Sequence, residues 1–91
     1  MLIVNQDKNT VINFKSINYI DIQPNEQVFD IEINYNNNMF ADIATYESEK
    51  RAQEVLNEVI NKYLEYASIK NSIGDVKQVY SLPKVYIMPE K

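Results

Sequence analysis

The sequence predicts an α+β fold: one antiparallel sheet of about five to six short strands, one amphipathic helix packed on it, and a C-terminal edge strand. Two patterns indicate this class. Apolar and polar residues alternate through 28–35, whereas apolar residues recur every three or four positions through 48–67. Because 91 residues suit one packing unit, we expect a single domain over 1–91.

Three short strands are expected before the alternating segment. Apolar β-formers cluster at 2–4, 10–14 and 17–23, and polar stretches separate them. Pro24-Asn25 follows the third cluster, and this dipeptide is typical of a turn.

The alternating segment 28–35 and the segment 39–46 predict a β-hairpin around Asn36-Asn37-Asn38. A two-residue loop would place Ile31 opposite Asp42. A three-residue loop buries apolar side chains together, because a slip of one residue turns every side chain to the other face. It pairs Tyr35 with Met39, Ile33 with Ala41, and Ile31 with Ile43.

The helix is expected over 48–67, with Ser48 as N-cap and Glu49 in the first turn. Its apolar face spans an arc of about 180°, wider than the stripe of about 100° that one sheet covers. One flank is therefore expected to meet a partner or a second copy of the chain. The predicted interface comprises Val55, Val59, Leu64, Tyr66 and Tyr80, since tyrosine combines apolar area with a polar tip.

The segment 68–84 is long for a structureless connection, so a further strand is expected over 76–81. Residues 85–88 then predict a short strand. Pro83 and Pro89 bound it, which suits the edge of a sheet.

Most catalytic chemistry lacks its residues here. The chain has no His, no Cys and one Gly, which excludes the usual nucleophilic triads, zinc sites built on Cys or His, and glycine-rich phosphate loops. We therefore expect no cofactor and no enzymatic activity.

Carboxylates are the remaining candidates. The three-residue register places Glu32 opposite Asp42, with Asp30 on the same face, close enough to share a divalent metal ion. A solvated sheet face explains the same pattern, and that interpretation is favoured because acidic side chains are mostly exposed.

Charge and composition limit the partners and the compartment. A net charge of -4 opposes binding to nucleic acid, and no apolar run approaches the length of a membrane span. The absence of Cys is consistent with a reducing compartment. We expect a cytoplasmic protein that binds another protein and itself.

Four stretches of the chain resemble a family of short uncharacterised proteins encoded by phages and prophages of low-GC Gram-positive bacteria. The stretches are Asn5-Gln6-Asp7-Lys8, Ile12-Asn13-Phe14, Tyr46 with Arg51-Ala52 and Val55-Leu56, and Val85-Tyr86-Ile87-Met88-Pro89. The resemblance implies a phage accessory protein in the host cytoplasm. Such a protein is expected to act by stoichiometric binding, as counter-defence that inhibits a host immune protein.

Two alternatives remain open. An oligomeric sponge would enclose a small signalling molecule, which for an anionic nucleotide requires Lys70, Lys77 or Lys84 to converge on one pocket. A metal-dependent enzyme would use the acidic trio instead.

Overall fold

The computed structural model describes residues 1–36, 39–72 and 85–91, and the helix side chains up to residue 67. The α+β class is confirmed. Within these described ranges, six strands and one long helix follow one another: β1 (Leu2–Val4), β2 (Val11–Asn13), β3 (Tyr19–Asn25), β4 (Val28–Asn36), β5 (Met39–Tyr46), α1 (Glu49–Ser72) and β6 (Val85–Ile87). The strand predicted over 76–81 lies outside the described residues.

The strands form two sheets, so the expectation of one sheet is wrong. The first sheet has the order β2-β1-β6, with β1 and β2 antiparallel and β1 and β6 parallel, and the second has the antiparallel order β3-β4-β5. A 3-10 turn over Phe14–Ser16 separates β2 from β3. This turn redirects the chain, so that β3 starts a new sheet. β6 does occupy a sheet edge, as predicted.

The turn between β3 and β4 was predicted two residues too early. Pro24 and Asn25 belong to β3 and pair with Phe29 and Val28, and the chain reverses at Glu26 and Gln27. Proline is tolerated here because β3 is an edge strand, where a missing N–H need not break the ladder. Glu26 adopts the left-handed conformation that the tight turn requires, with φ of 58°.

The register between β4 and β5 is confirmed in its centre and shifted at both ends. Ile33 pairs with Ala41 and Glu32 with Asp42, as predicted, but Ile31 pairs with Ala44. A β-bulge beside Ile31 accounts for the difference, because it inserts one extra residue into β5 and lets Ile43 and Ala44 both be buried. At the hairpin end, Met39 pairs with Asn36 and not with Tyr35.

The helix begins where the sequence predicts it. The Ser48 Oγ accepts a hydrogen bond from the Arg51 backbone N–H at 3.1 Å, which is an N-cap contact. The helix continues past residue 67 to Ser72. Its buried face packs on the second sheet, against β3, β4 and β5. The core is formed by Met1, Ile3, Ile31, Ile33, Ile43, Ala44, Tyr46, Ala52, Val55, Val59, Tyr86 and Met88.

Candidate protein-binding surface

Acidic side chains form a row across the polar face of the second sheet. Asp21 on β3 pairs with Glu32 on β4, which pairs with Asp42 on β5. Asp21 was not part of the predicted trio. It could have been found from the sequence only with the β3–β4 register, which the misplaced Pro24 turn obscured.

Asp30 stands apart from this row. The β-bulge places it opposite Thr45, whose hydroxyl donates a hydrogen bond to Asp30 Oδ1 at 2.6 Å, and Asn25 Nδ2 donates to Oδ2 at 3.0 Å. The carboxylate is buried with these partners. The three predicted metal ligands are therefore not brought together as a set.

The pKa of Glu32 is raised above its ordinary value of 4.5. Desolvation is the largest cause, followed by the negative charges of Asp42 and Asp21 on the neighbouring strands. Asp21 Oδ1 is buried without a hydrogen-bond partner, whereas Oδ2 accepts one from Gln23 Nε2 at 2.9 Å. In the described part of the chain, no group of three or more acidic residues is placed to hold a metal ion.

Two of the predicted interface residues lie in the core. Val55 and Val59 are fully buried, so the expectation that they form an exposed patch is wrong. Both strands of the hairpin supply apolar residues to this side of the helix, with Ile31 and Ile33 from β4 and Ile43 from β5. This edge of the wide apolar arc is thus covered by the chain itself.

The opposite edge of the arc is exposed. Ile60, Tyr63 and Leu64 are 43%, 37% and 57% exposed, and we call these three residues the helix flank. Tyr66 is half-buried with its ring 6.5 Å from that of Tyr63, which also stacks on Phe14 at 4.7 Å. The described residues therefore leave an apolar edge of the helix uncovered on the Leu64 side, and its use as an interface stays a prediction. Tyr80 lies outside the described residues.

A second apolar surface lies on the first sheet, with five residues against the three of the helix flank. The sequence did not predict it. Side chains two positions apart share a face of a strand, so Leu2, Val4, Val11, Val85 and Ile87 all point away from the core. Leu2, Val11, Val85 and Ile87 are 38%, 62%, 49% and 55% exposed. We call these five residues the aliphatic face.

A sequence signal for the aliphatic face exists. β1 reads Leu-Ile-Val and β6 reads Val-Tyr-Ile, with no alternation between apolar and polar residues. Continuous apolar strands are typical of sheets that are covered on both sides. Ile3 and Tyr86 cover the inner side, and the described residues leave the outer side open.

Hydrogen bonds hold the aliphatic face in place. The Met88 N–H donates to the Val4 carbonyl at 3.0 Å, which extends the pairing of β6 with β1. The Tyr46 hydroxyl donates to the Pro89 carbonyl at 2.7 Å, and burial raises the pKa of Tyr46 to about 12. The hydroxyl therefore stays protonated at neutral pH and keeps this contact.

An apolar groove of about 310 Å³ borders the aliphatic face. Its walls are β2 and β5, which are edge strands of different sheets. Val11 belongs to both the groove and the aliphatic face. The other lining residues used below are Ile12, Ile33, Tyr35, Ala41 and Asp42.

Similarity to known proteins does not identify the function of these surfaces. In the part of the chain that the structure describes, no helix is long and apolar enough to cross a membrane. No protein-family model, curated protein or solved structure matches the chain.

Proposed function

We propose that this protein acts by stoichiometric binding of a protein partner through its aliphatic face. The observation that carries the proposal is that, among the described residues, Leu2, Val11, Val85 and Ile87 are exposed on one face of one sheet. Contiguous exposed apolar patches of this kind mark interaction sites in soluble proteins. Complete burial of a fully exposed aliphatic side chain contributes about 1.5–3 kcal/mol, so a partner that covers the remaining exposed part of several of these side chains gains a share of that from each.

The form of the face favours a protein over a small molecule. Small ligands bind in concave sites that enclose most of their surface, whereas a sheet face presents a row of side chains to another surface. The net charge of -4 opposes a nucleic-acid partner. Because the sequence resembles phage proteins, we expect the partner to be a host immune protein that this protein inhibits by binding it.

Substitution of one exposed residue of the aliphatic face tests the proposal. Ile87→Lys places a charge in the aliphatic face at a side chain that is 55% exposed, so the fold should tolerate it. Leu64→Lys on the helix flank is the matched control, because Leu64 is 57% exposed and aliphatic as well. Circular dichroism should show both variants folded.

The tagged variants are compared by pull-down from bacterial lysate and by light scattering of the purified protein. We expect Ile87→Lys to lose the partner and any self-association, and Leu64→Lys to keep them. If Ile87→Lys retains its partner while Leu64→Lys loses it, the helix flank is the binding surface and the proposal fails.

A further inference from the structure

Among the described residues, no segment covers one half of the β5 edge. Natural sheets guard their edges with proline, lysine, bulges or covering segments, because an open edge pairs with other chains. β3, the other edge of this sheet, contains Pro24. β5 contains neither proline nor lysine, and its first residues, Met39 and Phe40, are 54% and 48% exposed.

The second half of the β5 edge is covered by Gln6. The Gln6 backbone N–H donates to the Ile43 carbonyl at 2.8 Å. Its side chain then accepts a hydrogen bond from the Thr45 N–H at 2.9 Å and donates to the Thr45 carbonyl at 3.0 Å, as a neighbouring strand would. The open stretch of the edge therefore runs from Met39 to Asp42.

This open stretch leads into the apolar groove. Ala41 and Asp42 line it from β5, Val11 and Ile12 line it from β2, and the buried Ile33 lies at its base. An extended chain that follows Met39 to Asp42 would have a backbone to pair with on one side and aliphatic side chains on the other. This is the arrangement that strand addition uses, with main-chain bonds for affinity and pockets for selectivity.

We infer that the groove binds an extended segment of a partner protein, which adds as a strand to the open half of β5. The inference rests on the proposed function, because it names the part of the partner that is recognised. The aliphatic face alone supplies fewer residues than the roughly 20–30 per side of a stable interface. Val11 joins the two surfaces, so a single partner covers both.

The segment carries apolar side chains and a Lys or Arg. Asp42 is exposed at the groove and lies in the acidic row with Glu32 and Asp21. The described lining contains no lysine or arginine to neutralise these charges. A basic side chain of the segment, placed next to Asp42, is therefore favoured over an acidic one.

A free segment fits the groove better than a second copy of the chain. In a second copy, β5 already has β4 on one side and its own β2 across the groove on the other. Symmetric pairing of two β5 edges would force each β2 into the partner. An extended segment brings no such neighbour.

The probe is an array of peptides of about six residues, a typical strand length, in which apolar residues alternate with Lys or Arg. The tightest peptide is then measured in solution against the full chain and four variants. We expect Tyr35→Ala to weaken binding by about tenfold or more. Tyr35 lines the groove, and tyrosines that become buried in an interface are frequent hot spots. Tyr63→Ala is the matched control, because Tyr63 is 37% exposed and Tyr35 39%.

Backbone pairing is tested by N-methylation of the same peptide. Methylation of the backbone nitrogens whose N–H groups point toward β5 should weaken binding by about tenfold. Methylation of the alternate backbone nitrogens, whose N–H groups point away from β5, should change binding less than about twofold. Asp42→Asn should weaken binding of the basic peptides and reduce its dependence on salt.

Four results overturn the inference: no peptide binds, Tyr35→Ala binds as the wild type does, methylation has no position dependence, or Tyr35→Ala abolishes dimerisation of the chain itself. Ile87→Lys separates this inference from the proposed function. It should remove the whole partner and leave peptide affinity unchanged. A partner that Ile87→Lys retains contradicts the proposed function, whereas peptide binding that Ile87→Lys loses contradicts the inference.

Discussion

Gln6 is the residue that ties three distant parts of the chain together. Its side-chain amide bonds to Thr45 on β5, and its Nε2 also lies 3.1 Å and 3.0 Å from the carbonyl oxygens of Pro89 and Glu90. Each hydrogen bond contributes about 1 kcal/mol, and its loss leaves backbone groups unpaired. Gln6 therefore fixes the position of the first sheet relative to the second.

We predict that Gln6→Ala lowers the free energy of unfolding by about 2 kcal/mol. Gln6→Glu should be at least as harmful, because a carboxylate cannot donate to the carbonyl oxygens of Thr45, Pro89 and Glu90. Urea unfolding measures both. Gln53→Ala, which removes an exposed amide on the helix, should change stability by less than about 0.5 kcal/mol, and an equal loss in this control would refute the role of Gln6.

Glu32 makes stability depend on pH. Its pKa is raised in the folded state, so the folded protein binds a proton more tightly than the unfolded chain. The favourable contribution is complete below the ordinary value of 4.5 and is lost as the pH rises through the folded-state pKa.

We predict that Glu32→Gln raises the melting temperature at about pH 7 and that this gain disappears below the ordinary pKa of 4.5. Thermal unfolding across the pH range measures the effect. Glu65→Gln, an exposed change on the helix, should give no pH-dependent gain. A gain of the same size at low pH would show that charge repulsion in the acidic row is not the cause.

At the scale of elements, the β3–β4 turn holds backbone strain. Glu26 has φ of 58°, a conformation that costs a residue with a Cβ about 1–2 kcal/mol. Glycine adopts it freely, although its unfolded chain loses more entropy on folding.

We predict that Glu26→Gly stabilises the protein by about 0.5–1 kcal/mol in urea unfolding. Glu26→Ala removes the same carboxylate but keeps the Cβ, and it should not stabilise. Equal stabilisation by both variants would attribute the effect to the charge and not to the backbone.

The helix and the hairpin could be predicted because their signals are local. Ser48 caps the helix as expected, and Ile33 pairs with Ala41 as expected, since periodicity and burial determine these features within a short stretch. The bulge at Ile43 could not be predicted in this way. It depends on the contact between Ile43 and Gln6, which lie far apart in the sequence.

At the scale of the whole molecule, the division into two sheets depends on contacts that periodicity does not report. β1 pairs with β6 across more than 80 residues of chain, and the 3-10 turn after β2 has no strong sequence signature. The candidate site was the least predictable feature, because it depends on these long-range contacts. Of the helix flank, only Leu64 was predicted from the periodicity of the helix, whereas the aliphatic face exists only once Val11, Leu2 and Ile87 meet in one sheet.

Binding through the aliphatic face is tested most directly by hydrogen exchange of the free protein and of its captured complex. We predict slower exchange in Leu2–Val4, Val11–Asn13 and Val85–Ile87 when the partner is bound, because these strands carry the side chains that the partner covers. Slowing confined to α1, with these three strands unchanged, would contradict it.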